Sequence, residues 1–357
     1  MSTFTPTTTG EEVATAFAQE IKGKNVLITG TSVNGLGFEA ARIIAKYANL
    51  VIITGHNAER LKLSEDALKK DIPGANIRTL LLNLASLDAV RKAAEEVNAY
   101  PEQIDILINN AASSICRFRL TTDGFEQQIA TDHLGPFLFT ALILLKILAA
   151  QTVSYTPRVV FVASGAHAWS EGVKLDEIEH PNESTYNGMQ AYSQSKSANI
   201  LTARELTRRA GGRIHSYSLS PGGGYRPSAI TLSLNTISSC SDKLCSERRG
   251  AASIIAAWRH HGGRKAQPER SFSLEDASLR GPPQLLQPHL THLSTVRATL
   301  FTCIFSDNIC IYVTDKPGCY LNHSVENNEG VAPHSSDPVR AEKLWELSER
   351  LVGVKFL

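Results

Sequence analysis

Net charge, patterned cysteine and long apolar runs are all scarce in this chain, and each scarcity removes a class of function. The 357 residues carry 36 basic and 35 acidic side chains, a formal charge of +1, with no basic block interleaved with aromatics. The electrostatic attraction that dominates binding to a phosphate backbone is missing, so no nucleic-acid partner is expected. Cys116, Cys240, Cys245, Cys303, Cys310 and Cys319 show no paired metal spacing and no secretory context, which predicts reduced thiols in a cytoplasmic protein. His260-His261 and His289-x-x-His292 lack an accompanying acid or cysteine pattern, and no metal is expected. Met1 to Gly10 is rich in threonine and has no basic start followed by an apolar run, so a secretory leader is not expected. The apolar stretch Phe137 to Ala150 contains Lys146 and is shorter than the roughly 20 residues of a bilayer span. It reads as a core or dimer-packing helix. Ala298 to Val313 is broken by Ser306, Asp307 and Asn308, so no membrane span is expected there either.

What the chain does have is a glycine-rich turn between an apolar strand and a helix. Asn25 to Thr29 is short, apolar and partly β-branched, and it leads into Gly30-Thr31-Ser32-Val33-Asn34-Gly35-Leu36-Gly37. From Phe38 to Tyr47, Ala40, Ala41, Ile44 and Ala45 are spaced for one buried helical face. Glycines at a helix N-terminus let backbone amides approach a pyrophosphate, and the helix dipole favours negative charge there. Further apolar strands are expected at Leu50 to Thr54, Asn76 to Leu82, Ile104 to Asn109 and Arg158 to Ala163, separated by polar-faced helical stretches. Strands alternating with helices predict a Rossmann-like α/β fold, a doubly wound parallel sheet with helices on both faces and ligands at the carboxyl ends of the strands.

Tyr192 and Lys196 stand four residues apart, in Ala191-Tyr192-Ser193-Gln194-Ser195-Lys196. On a helix both face one way, so the ammonium can stabilise a phenolate and make the tyrosine a usable proton donor. Surface helices often carry this spacing by chance, and its weight comes from the phosphate loop upstream.

Taken in order, the loop at Thr29 to Gly37, Asn83-Leu84-Ala85-Ser86-Leu87, Asn109-Asn110-Ala111-Ala112, Ser164, and Tyr192 with Lys196 resemble the short-chain dehydrogenase/reductase family, especially its retinol-dehydrogenase-like and fungal secondary-metabolism branches. The likeness covers about residues 24 to 222 and returns near Pro317 to Phe356. It implies that Tyr192 exchanges a proton with a carbonyl or alcohol oxygen, that Lys196 lowers its pKa and holds the nicotinamide ribose, and that Ser164 hydrogen-bonds the substrate oxygen. It further implies cofactor contacts from Gly30, Ser32, Asn34, Gly35, Leu36, Gly37, His56, Asn83, Asn109, Tyr192, Lys196, Pro221 and Gly222, and homo-oligomers formed through helices such as the one bearing Tyr192.

Departures from the family pattern qualify this. Four residues separate Gly30 from Gly35 where three are common, Asn83 replaces an aspartate, and Ala112 replaces a glycine. In Thr131-Asp132-His133-Leu134-Gly135, Asp132 stands where the family generally has asparagine. A carboxylate there can pair with Lys196 and add negative charge that opposes the tyrosinate, or it can be a helix-start cap. No acid follows the second strand in Thr54-Gly55-His56-Asn57-Ala58-Glu59-Arg60, which favours NADP over NAD, with His56, Ser32 or Arg60 as phosphate contacts.

At 42% hydrophobic, the chain can bury one large core. Residues 1–22 read as an N-terminal extension and 23–357 as one Rossmann-like oxidoreductase domain. About residues 225–316 the resemblance fades into an atypical stretch, either an insertion covering the pocket or sequence of unusual origin, such as retained intron, that does not fold. The function expected is an NADP-preferring oxidoreductase interconverting a carbonyl and an alcohol on a small, mostly apolar substrate in fungal secondary metabolism. The competing expectation is a catalytically impaired, cofactor-binding relative with a regulatory or scaffold role. A sugar-nucleotide epimerase is disfavoured, because its glycine loop is spaced differently from Gly35-Leu36-Gly37.

Overall fold

A computed structural model of the chain describes residues 8–221, 317–322 and 325–357. Gly222, the atypical stretch at about 225–316 with its histidine pairs, the run Ala298 to Val313, and four of the six cysteines lie outside the described residues. Eight strands form one sheet in the order β3-β2-β1-β4-β5-β6-β7-β8. They are β1 (Asn25–Ile28), β2 (Leu50–Gly55), β3 (Ile77–Leu81), β4 (Ile106–Asn109), β5 (Arg158–Val162), β6 (His215–Ser220), β7 (Tyr320–Asn322) and β8 (Val325–Glu326). The first seven run parallel, and β8 returns antiparallel to β7. The expected doubly wound α/β sheet is what forms, and its direction reverses between β1 and β4, where ligands bind in such folds.

The strands are apolar because both of their faces are covered. Leu27, Ile52, Leu107, Val159 and Phe161 belong to one core cluster, with helices Leu87–Ala99, Gly135–Leu142, Gly188–Ala210 and Pro338–Val352. Their strand neighbours Val26, Ile28, Val51, Ile53, Ile106, Ile108, Val160 and Val162 belong to the other, under helices Leu36–Ile44 and Ala58–Asp71. The N-terminal helix Gly10–Ala16 joins this second face and buries Val13 and Ala14.

Helix ends follow the sequence closely. Asn57, Ser86, Asn187 and Asp337 each cap a helix by accepting a backbone N–H through the side chain, satisfying amides left open in the first turn. Gly211 ends the Tyr192 helix and Gly353 the C-terminal one, both in the left-handed region. The apolar stretch Phe137 to Ala150 is not one helix. It breaks at Ile143 into Gly135–Leu142 and Leu144–Leu148, and Lys146 turns aside to donate to the Tyr100 carbonyl. No helix among the described residues is long and apolar enough to cross a membrane.

Candidate active site

The loop after β1 is held by backbone bonds to two neighbouring strands. Thr29 N–H donates to the Ile108 carbonyl at 2.9 Å, and Thr31 N–H donates to the Thr54 carbonyl at 3.0 Å. Thr31 Oγ1 also donates to the Thr54 carbonyl, and Gly30 N–H donates to Thr54 Oγ1. From the other side, Thr29 Oγ1 accepts both the Asn110 and Ala111 N–H groups at 2.9 Å, while Asn110 Nδ2 donates to the carbonyls of Thr29 and Gly30. Two glycines make this closeness possible. A Cβ on Gly30, whose φ is +71°, would lie 2.7 Å from Ala111 Cα, and one on Gly37 would lie 2.5 Å from Asn110 Nδ2. Asn34 takes the left-handed conformation at φ 66°, which accommodates the long spacing between Gly30 and Gly35. Gly35 then begins helix Leu36–Ile44 with no side-chain cap, so the helix presents backbone N–H groups that suit an anion.

Beside this loop the end of β2 opens a small pocket lined by Ser32, Gly55, His56, Asn57 and Arg60 among others, with no aspartate or glutamate in its wall. Ser32, His56 and Arg60 are exposed there. The sequence pairing of these three residues is thus a spatial one.

A second cluster joins the buried Lys196 and Asp132 to the half-buried Tyr192. Tyr192 and Lys196 lie on helix Gly188–Ala210, with Lys196 Nζ 5.4 Å from the centroid of the half-buried Tyr192 ring. Lys196 is itself buried. Its ammonium donates to the Val162 carbonyl at 3.3 Å and pairs with Asp132 Oδ2 at 3.3 Å. Asn199 Nδ2 donates to the same Val162 carbonyl, so one helix face grips the strand end two residues before Ser164. Asp132 is no helix cap. It sits in the π-turn Ala130–Leu134, where Oδ1 accepts the Ser113 N–H at 2.6 Å and Oδ2 accepts the Ser195 hydroxyl at 3.0 Å. Burial pushes its carboxyl up from the usual range, while Lys196 and the two hydrogen bonds pull the other way.

Ser164 stands just beyond β5 and caps the 3₁₀ turn Gly165–Trp169, its Oγ accepting the Ala166 N–H at 3.2 Å. Asn83 caps its own turn, accepting the Ala85 N–H through Oδ1 at 3.1 Å. Asn109 points inward: Nδ2 donates to Thr140 Oγ1 at 3.2 Å, and Oδ1 is buried with no partner. The residue that fastens the glycine loop is its neighbour Asn110. Pro221 directly follows β6. Sequence reasoning also passed over Thr29, Ser113, Ser195 and Asn199. Thr29 carried a usable signal, a hydroxyl at the last position of a strand feeding a glycine turn. The others act through contacts set by packing.

The model of a family described as short chain dehydrogenase matches residues 24–173. Oxidoreductase fscI of Fusarium equiseti is 31% identical over 255 residues, covering 64% of this chain and 97% of that protein. Short-chain dehydrogenase TIC 32 A, chloroplastic, of Brassica napus is 36% identical over 209 residues, 57% of this chain, and the chain spans 64% of that relative's length. Among solved structures, an uncharacterized protein from Mycobacterium Paratuberculosis superposes with a TM-score of 0.61 at 23% identity, covering 95% of this chain and 98% of that one. That last likeness bears on the fold alone.

Proposed function

We propose that this chain, which belongs to the short-chain dehydrogenase family, interconverts a carbonyl and an alcohol on a small, mostly apolar substrate with NADP as the favoured cofactor. The observation that carries the reading is the buried Lys196 ammonium beneath the Tyr192 ring, tied to the carbonyl of Val162 at the strand end that presents Ser164. The Tyr192 hydroxyl is the group that would pass a proton to or from the substrate oxygen. The Ser164 Oγ accepts from Ala166, which leaves its own hydrogen to donate to the substrate oxygen and stabilise charge developing on it.

The loop at Gly30 to Gly37 fits a dinucleotide pyrophosphate, because a Cβ at either end would collide with the β4 turn and the uncapped helix start offers N–H groups. When bound, a nicotinamide would supply the hydride chemistry that no side chain can. Ser32, His56 and Arg60 around an acid-free pocket suit the extra phosphate of NADP. A place in fungal secondary metabolism belongs to the same proposal, in keeping with a fungal oxidoreductase among the relatives.

The test is a fluorescence titration with NADPH and NADH, followed by turnover of a panel of ketones, aldehydes and alcohols. The expected result is tighter NADPH binding, and turnover that falls by about 10²–10⁴ in Tyr192→Phe with binding retained. Binding without any Tyr192-dependent turnover would instead favour the cofactor-binding scaffold, a reading to which the Asp132 carboxylate beside Lys196 lends weight.

A further inference from the structure

Four segments of the chain meet at one residue beside Ser164, His167, and the chemistry proposed above gives it no part. His167 is 2% exposed. Its Nδ1 lies 2.8 Å from the Ser164 carbonyl oxygen, and its Nε2 lies 3.2 Å from the Ala332 amide nitrogen. A backbone N–H can only donate, so Nε2 carries the lone pair and Nδ1 carries the proton, which it gives to Ser164. Only a neutral imidazole can make both bonds, and burial holds this one below the ordinary histidine range, against the opposing pull of the Ser164 carbonyl.

The backbone of His167 is equally well bonded. Its N–H donates to the Ser164 carbonyl at 3.1 Å, and its own carbonyl accepts from His334 Nε2 at 3.1 Å and from Ser193 Oγ at 3.4 Å. Ser193 is the residue after Tyr192. The ring meets Tyr320 of β7 edge-on, 5.2 Å between centroids. Through ring and backbone together His167 joins the serine turn, the tyrosine helix, β7 and the segment around Ala332.

We propose that His167 is a positioning residue for Ser164, coupling the serine turn to residues 331–336 so that the seating of that segment and the aim of the serine hydroxyl are a single event. The catalytic part of this rests on the oxidoreductase reading above, and the mechanical part does not. Two substitutions on the full-length protein separate them. His167→Ala removes both ring bonds. Ala332→Pro breaks the contact from the other side, replacing the N–H that Nε2 accepts with the proline Cδ, at a residue whose φ of −56° already suits proline.

Hydrogen exchange followed by mass spectrometry reads the coupling. His167→Ala is expected to speed exchange in peptides covering 331–336, and Ala332→Pro to speed it in peptides covering 164–170, on the far side of the bond. If exchange in the distant segment is unchanged in both variants, the coupling is overturned. Kinetics read the positioning: His167→Ala is expected to lower kcat about tenfold, with KM and the NADPH dissociation constant held within about twofold. His167→Asn, whose amide can still donate to Ser164, is expected to recover part of that loss. An unchanged kcat in His167→Ala, or a loss confined to cofactor binding, overturns the positioning role. A wild type that turns over nothing in the panel would sink the oxidoreductase reading, while the exchange result would still decide the coupling.

Discussion

Around Thr29 to Gly37 the chain holds its shape with uncharged hydrogen bonds and two glycines, whereas around Tyr192 it does so with buried charge. In the first region the loop is pinned to β2 and β4 through Thr54, Asn110 and Ala111, and Gly30 and Gly37 contribute by having nothing to collide. In the second, a lysine and an aspartate stand almost without exposure, and each needs the other to be tolerable there. The difference teaches that the two halves should fail in different ways: one to added bulk, the other to removed charge or changed pH.

The largest expected effect comes from Lys196→Met, which leaves the Asp132 carboxylate buried and unpaired and costs about 3–5 kcal/mol of stability. Asp132 already has its carboxyl raised by burial. A group raised above its unfolded value favours the folded state below that value and loses the benefit as pH rises. The melting temperature of Lys196→Met should therefore recover toward that of the wild type on mild acidification. Calorimetry from pH 5 to 8 tests this, and a pH-independent loss would mean that the pair is not held by charge.

Gly37→Ala is the complementary break. Its new methyl would sit 2.5 Å from Asn110 Nδ2 and 2.6 Å from the Gly30 carbonyl oxygen, and overpacking of this kind costs about 1–3 kcal/mol. Here the loss should show as weakened NADPH binding with no pH dependence, read by the same fluorescence titration. Equal affinity for wild type and variant would show that the loop has slack.

His133 sharpens the contrast. It is buried between Ser348, 2.8 Å from Nε2, and Thr202, 3.4 Å from Nδ1, and burial lowers its pKa from 6.5 to about 3. A depressed histidine stabilises the fold fully above the unfolded value and loses that stability as pH falls toward the folded one. Between pH 6.5 and 5 the wild type should lose roughly 2 kcal/mol from this group. Urea midpoints across that window should flatten in His133→Gln, and identical slopes would remove His133 from the account.

The smallest effect is expected from Asp132→Asn. The change removes the ion pair with Lys196 while the amide oxygen can still accept the Ser113 N–H, and the pH–rate profile of alcohol oxidation should change. An unmoved pH–rate profile would show that Asp132 is not electrostatically coupled to the tyrosine.

Much of the fold was legible because buried parallel strands are written as apolar runs, and β1, β2 and β5 fall within a residue of where those runs end. Gly30 and Gly37 were legible too, since strand, glycine turn and helix are local. What could not be read was set by packing. Nothing in the composition of Phe137 to Ala150 marks the break at Ile143. Asn109 and Asn110 are adjacent, and which of them turns inward depends on the register of β4 against β5. Asp132 announced itself as a departure from pattern, but its bonds to Ser113 and Ser195 join residues 19 and 63 positions away. The contact from His167 to Ala332 spans 165 positions and leaves no trace in local sequence.

The pairing of β6 with β7 has a consequence in time. Ser220 ends one strand and Tyr320 begins the other, a hundred positions later in the chain. Until β7 arrives, β6 is an open edge able to pair with another chain. The first five parallel strands come from residues 25–162 and can assemble early, while β7 and the segment around Ala332 must be late arrivals. A nascent chain would thus own its glycine loop well before the part of the wall that His167 and Ser164 lean on.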